Sequence, residues 1–93
     1  MPQLPKAILG RTGLNLARLG YGAGHRKPGT DSERKKLLNT VLDLGINYID
    51  TSDDYDDSEE LIGKHISHRR SEFYIATKCG ASPAGGHEYS REN

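Results

Sequence analysis

The chain has 93 residues, enough for at most one small domain. Its thirteen basic and thirteen acidic residues give a formal net charge of zero, which argues against nucleic acid or an anionic membrane as a partner. A single cysteine excludes an internal disulfide, and no apolar run is long enough to span a bilayer. We therefore expect a soluble, cytoplasmic protein.

The first 24 residues contain short apolar segments separated by glycines. Lys6 to Leu9 and Leu14 to Ala17 flank the turn Gly-Arg-Thr-Gly, which predicts a β-hairpin. Leu19 to Gly22 predicts a strand that runs into a glycine-rich loop. This loop lacks the third glycine of the dinucleotide fingerprint, so we expect its glycines to let the backbone pass close to a cofactor or a neighbouring strand.

The region from Thr30 to Leu44 has the strongest helical pattern in the chain. Thr30 and Glu33 form a capping-box sequence, apolar residues recur at helical spacing, and Gly45 follows as a C-terminal cap. The basic run that begins at Arg34 lies on the polar face, where it is expected to be solvated rather than bound to phosphate.

A second helix is predicted to start after Asp57 or Ser58. His65 and His68 lie three residues apart on it, but no further ligand set is near, so we expect exposed residues at the helix end and no metal site. The acidic run before this helix does not match a calcium loop, because Tyr55 stands where that loop needs glycine.

The alternation of strands and helices after the hairpin predicts parallel strands joined by right-handed crossovers. The strand segments Ile46 to Ile49 and Phe73 to Ala76 both lead into polar and ionisable residues. Because the carboxyl ends of parallel strands meet at one edge of a sheet, Asp50, Tyr55 and Lys78 are candidates for a shared site.

The run D-T-S-x-x-Y-x-x-S-E-x-x-I-G at 50–63, followed by I-A-T-K at 75–78, resembles the aldo/keto reductase family. The resemblance implies an α/β fold, the N-terminal part of a (β/α)8 TIM barrel, with an N-terminal β-hairpin followed by about three parallel strands and two helices. A complete barrel needs roughly 250 residues, so residues 1–93 would form a single incomplete domain. An open sheet edge would follow, and we expect it to promote self-association.

The resemblance also implies the site residues. Asp50, Tyr55 and Lys78 match three of the family's four catalytic residues. Gly22, Ala23 and Asp50 would bind the cofactor, which in this family is more often NADPH than NADH.

The chain departs from the family pattern at two points. Asp56 stands where the family usually has glycine after the tyrosine, so the resemblance leaves the shape of the local turn open. The fourth catalytic residue of the family, a histidine, has no counterpart, because His87 precedes the predicted third helix. The 93-residue chain alone is therefore expected to be inactive.

Each of the three residue types has a reason to be present in a carbonyl reductase. The reaction needs a hydride at carbon and a proton at oxygen. Tyrosine, with a reference pKa of about 10, is a weak acid, but an ammonium at about 4 Å favours its ionised form by on the order of 4 kcal/mol at an effective dielectric of about 20. Lys78 would supply this charge to Tyr55, and Asp50 would keep the lysine protonated. The small-molecule substrate would be an aldehyde or a ketone.

Three alternatives stay open from the sequence. The chain could belong to a regulatory or binding subunit on the same fold, or it could be an inactive fragment. In the third alternative, Asp50 and Lys78 form a structural ion pair and Tyr55 is an ordinary buried aromatic.

Overall fold

A computed structural model describes residues 4–24, 29–82, 85–87 and 89–90. In chain order the elements are β1 (Lys6–Ile8), β2 (Asn15–Ala17), β3 (Tyr21–Gly22), α1 (Asp31–Asp43), β4 (Tyr48–Asp50), α2 (Ser58–Ile66), a 3₁₀ helix (Ser67–Glu72) and β5 (Tyr74–Ala76).

The predicted hairpin is confirmed. Strands β1 and β2 are antiparallel, with Ala7 opposite Leu16. The hairpin is attached to the rest of the chain by Asn47, just before β4: its Oδ1 accepts a hydrogen bond from the Ala17 amide at 2.7 Å, and its Nδ2 donates to the Asn15 carbonyl at 2.9 Å. No pattern in the sequence indicated this attachment.

The other three strands form a parallel sheet in the order β3-β4-β5. Helix α1 connects β3 to β4, and α2 with the 3₁₀ helix connects β4 to β5. This is the predicted β/α alternation, although β3 is only two residues long. Ile49 at the centre of the middle strand is fully buried. It packs in one core with residues from α1, from α2, and from the segments next to β3 and β5. These residues are Ala23, Leu38, Leu42, Ile62, Ile66 and Phe73.

Helix α1 begins and ends as its sequence predicts. The Thr30 hydroxyl accepts a hydrogen bond from the Glu33 amide, and the Glu33 carboxylate accepts one from the Thr30 amide, which completes the capping box. Gly45 follows the C-cap with φ of 90°, a left-handed conformation that costs glycine no steric strain.

Polar residues join the two helices, and here one prediction was wrong. His65 is buried rather than exposed at the helix end: its side chain is only 5% accessible, and its Nε2 lies 3.0 Å from Oδ1 of Asp31. Lys64 binds the other oxygen of the same carboxylate at 3.0 Å. The reason is helical periodicity, because His65 follows Ile62 by three residues and therefore shares its buried face. His68 is exposed, as expected.

The 3₁₀ helix after α2 was not predicted. Arg69 holds it against the end of α1, donating to the carboxylates of Glu72 at 2.8 Å and Asp43 at 2.9 Å. It also donates to the side chain of Asn39 at 3.1 Å. These ionic hydrogen bonds, first of all that to Glu72, raise the pKa of Arg69 and lower the pKa of Glu72.

Neither helix among the described residues has the length and apolar character needed to cross a membrane. The same residues contain no group of three or more His, Cys, Asp or Glu side chains arranged to hold a metal ion.

The carboxylate shared by the two helices makes the stability of the fold sensitive to acid. Hydrogen bonds from Lys64 and then His65 hold the pKa of Asp31 below its ordinary value of 3.8. A lowered pKa gives stability that is present above this ordinary value and is lost as the pH falls through the folded value. We expect Asp31→Asn to flatten the dependence of the free energy of unfolding on pH below 3.8, measured by urea titration at several pH values.

The matched control is Glu60→Gln, which neutralises an exposed carboxylate on α2 that makes none of these contacts. It should leave the acid slope unchanged. An acid slope in Asp31→Asn equal to that of the unmodified chain would contradict this account.

Candidate active site

The carboxyl ends of the three parallel strands meet at one edge of the sheet. Gly22 lies opposite Asp50, and Asp50 lies opposite Ala76. Backbone hydrogen bonds continue past the strand ends, from the Ala23 amide to the Asp50 carbonyl and from the Thr51 amide to the Ala76 carbonyl, both at 2.8 Å. The backbone of the middle strand is therefore held on both sides at the point where the predicted site begins.

Lys78 lies two residues beyond β5 and reaches back to β4. Its Nζ donates to Oδ1 of Asp50 at 3.0 Å and to the backbone carbonyl of Thr51 at 2.8 Å. The hydrogen bond to Asp50, and a smaller one to Tyr55, raise the pKa of the Lys78 ammonium. Lys78 thus carries a positive charge at neutral pH although it lies among protein groups.

Tyr55 contacts both the lysine and the glycine-rich loop. The Nζ atom of Lys78 is 4.7 Å from the centroid of the Tyr55 ring, within the range of a cation–π interaction. On the side of the loop, a Cβ atom at Gly24 would lie 3.4 Å from two ring carbons. This distance is at the short end of ordinary van der Waals contact, so the Tyr55 ring packs directly against the loop at Gly24. The structure therefore brings Asp50, Tyr55 and Lys78 together.

A short turn connects Asp50 to helix α2 and carries Tyr55. The Tyr55 amide donates to the Ser52 carbonyl at 3.2 Å, and its carbonyl accepts from the Ser58 amide at 2.9 Å. The hydroxyl groups of Thr51 and Ser58 are 2.6 Å apart, which closes the turn on its inner side. Thr51 is fully buried, so this hydroxyl pair satisfies polar groups that have no access to bulk water.

Asp56 has φ of 48°, and among the described residues other than glycine it alone adopts a positive φ. This conformation explains why glycine suits the position, and aspartate is one of the few other residues that tolerate it. The turn, whose shape the sequence left open, therefore contains a left-handed residue at position 56.

Arg34 was expected to be solvated, and the structure corrects this. Its side chain is only 14% accessible, and it binds the carboxylate of Asp57 at 3.2 Å. The pairing occurs because α1 packs against α2, which places Arg34 beside Asp57, the residue that precedes α2. Arg34 and Tyr55 also line a small cavity of about 40 Å³. Tyr21 borders the same cavity, and burial raises the pKa of its hydroxyl.

The three residues expected to bind the cofactor differ in accessibility and in the hydrogen-bonding groups that are free for a ligand. A Cβ atom at Gly22 would meet no other atom within 4 Å, so open space adjoins this backbone. Asp50 is partly accessible. Ala23 is buried, and its amide already donates to Asp50, so this amide has no hydrogen bond left for a ligand. Of the three, Gly22 and the Asp50 carboxylate are therefore the groups that a cofactor could contact.

Comparisons with known proteins identify the family to which the chain belongs. Residues 18–93 match the Aldo/keto reductase family. The oxidoreductase YqkF of Bacillus subtilis, whose function is uncharacterised, is 37% identical over 81% of this chain and 25% of its own length. A relative from Oryza sativa subsp. japonica, classed with the beta subunits of voltage-gated potassium channels, is 34% identical over 75% of this chain and 24% of its own length.

A solved structure from Pseudomonas aeruginosa, assigned to the aldo-keto reductases, superposes on the chain with a TM-score of 0.79 and 36% identity. The match covers 91% of this chain and 35% of that one. The fold is thus the N-terminal part of a β/α barrel of the oxidoreductase class, as predicted. The chain belongs to the aldo/keto reductase family.

The left-handed residue beside Tyr55 gives a test of the turn. Asp56→Gly relieves the backbone and should raise the free energy of unfolding by up to about 1 kcal/mol. Asp56→Val introduces a β-branched residue at φ of 48° and should lower it by about 1 to 2 kcal/mol. Urea denaturation measures both changes. A valine variant as stable as the unmodified chain would show that Asp56 does not hold a left-handed conformation in solution.

Proposed function

We propose that this chain supplies the catalytic aspartate, tyrosine and lysine (Asp50, Tyr55 and Lys78) of a reductase that converts aldehydes and ketones to alcohols with NADPH. The observation that carries the proposal is the position of the Lys78 ammonium. It is fixed by Asp50 and by the Thr51 carbonyl, and it lies against the ring of Tyr55. Family membership supports an oxidoreductase.

Tyr55 acts in this proposal as the general acid. Its hydroxyl donates a proton to the carbonyl oxygen of the substrate while that oxygen gains negative charge. The ammonium of Lys78 stabilises the phenolate that remains, because its positive charge lies next to the Tyr55 ring. Asp50 keeps the lysine protonated and oriented, which agrees with the direction of the Lys78 pKa shift.

The cofactor supplies the hydride when it is bound. Gly22 offers open backbone on which the cofactor would lie, and the Asp50 carboxylate is close to that backbone, because the two residues face each other across the sheet. Ala23 would contact the cofactor only through its surface, since its amide is already bonded.

A regulatory or binding subunit is the second candidate, and the relative classed with potassium-channel subunits favours it. The two candidates differ in what they require of Tyr55. A binding subunit needs the fold and a cofactor site, whereas a reductase also needs the tyrosine hydroxyl.

The activity test uses a chimaera in which these 93 residues replace the matching segment of the Pseudomonas aeruginosa relative, because the chain covers 35% of that structure. Tyr55→Phe keeps the ring and removes the proton donor. It should lower kcat by about 10² to 10⁴-fold while the affinity for NADPH is retained. Steady-state reduction of an aromatic aldehyde gives kcat, and cofactor fluorescence gives the affinity.

The matched control is Tyr74→Phe, which removes a tyrosine hydroxyl from β5 outside the site and should leave kcat unchanged. A normal kcat in Tyr55→Phe would show that Tyr55 is not the general acid. If the chimaera bound NADPH and reduced no aldehyde or ketone even with Tyr55 intact, the binding-subunit alternative would replace the reductase.

A further inference from the structure

The segment after Lys78 contains an isolated antiparallel β-bridge, and we call its described residues, 81–82 and 85–87, the 81–87 hairpin. Ala81 and His87 form an antiparallel bridge. The Ser82 amide donates to the Gly86 carbonyl, and the Gly85 amide donates to the Ser82 carbonyl, both at 2.9 Å. These backbone contacts fix the position of the His87 backbone relative to Ala81.

Tyr89 contacts both this hairpin and Gly80, which lies four residues beyond the end of β5. Gly80 is buried with φ of 109°, and a Cβ atom there would overlap the ring of Tyr89. The other neighbour of that ring is His87, with ring centroids 5.9 Å apart and planes inclined by only 2°. Tyr89 is 80% exposed, so this stacking supports the orientation of the His87 imidazole without burying it.

The imidazole of His87 binds the residue next to Tyr55. Its Nε2 lies 2.8 Å from Oδ2 of Asp54. The Asp54 amide donates to the hydroxyl of Ser52, and the Tyr55 amide donates to the carbonyl of the same serine. Because Asp54 and Tyr55 share Ser52 as their anchor, a displacement of Asp54 is transmitted to Tyr55.

The turn that carries Tyr55 is acidic, and its carboxylates repel one another. Three of them have a basic partner, and each partner comes from a different part of the fold: Lys78 on Asp50, Arg34 on Asp57 and His87 on Asp54. The first two pairs hold the ends of the turn. His87 holds its middle, where Tyr55 projects.

We propose that His87 is a positioning residue for Tyr55, acting through its hydrogen bond to Asp54. The pair ties the 81–87 hairpin to the turn and fixes the tyrosine beside Lys78. Both partners are about half exposed, so the pair adds little to global stability and acts on the placement of this one turn. The proposal rests on the proposed role of Tyr55 as the acid.

The first test does not depend on activity. His87→Phe keeps a ring that stacks on Tyr89 and removes the nitrogen that binds Asp54. Amide hydrogen exchange at Asp54 and Tyr55, measured by NMR in the 93-residue chain, should become about 2- to 5-fold faster, as expected for the loss of one weak surface pair. His68→Phe, at an exposed histidine of the 3₁₀ helix, should leave both amides unchanged.

The second test uses the chimaera and a double-mutant cycle. His87→Phe and Asp54→Asn should each lower kcat by about 2- to 5-fold, and the double variant should be no slower than either single one, because all three lack the same hydrogen bond. A role in stability alone would leave kcat of the folded enzyme unchanged.

The outcomes separate the two proposals. Unchanged exchange at the Tyr55 amide in His87→Phe, or kcat losses that multiply in the double variant, overturns the role of His87. A Tyr55→Phe variant with normal kcat instead overturns the role of Tyr55, while faster exchange in His87→Phe would still demonstrate the link between the hairpin and the turn.

Discussion

The arrangement of the site depends on the ammonium group of Lys78, which binds a side chain and a backbone carbonyl at the end of β4. Lys78 follows β5, yet its Nζ donates to the side chain of Asp50 and to the carbonyl of Thr51 at the end of β4. The backbone ladder between the two strands ends with the bond from Thr51 to Ala76. Beyond that point, Lys78 continues the connection through its side chain. An ion pair this accessible contributes little to stability, so its main consequence is to fix the position of a charge.

The turn between β4 and α2 is shaped so that a tyrosine reaches that charge. Asp56 adopts the left-handed conformation in this turn, and the Tyr55 ring packs against the loop at Gly24. Arg34 holds the start of α2 through Asp57. The position of Tyr55 thus depends on contacts from three segments distant in sequence, which is common where a side chain must be held for chemistry.

Local patterns in the sequence predicted the elements well, because the forces that form them are local. The capping box of Thr30, the glycine after α1 and the alternation of apolar segments each depend on residues close in the chain. The proximity of Asp50, Tyr55 and Lys78 was predicted by the family motif and by the rule that strand ends share an edge. The partners of Arg34 and His65 were missed, because they depend on how α1 lies across α2, which no local pattern records. The buried face shared by Ile62 and His65 was the available signal for the histidine.

The central claim is that Lys78 acts on the reaction through Tyr55. The most direct measurement is the single-turnover rate of NADPH oxidation in the chimaera for Tyr55→Phe, Lys78→Met and the double variant, with NADPH affinity determined for each. Residues that act as a unit have non-additive effects, so the double variant should be within about twofold of Tyr55→Phe alone. Losses that multiply would show that Lys78 contributes independently of Tyr55, and the account would be contradicted.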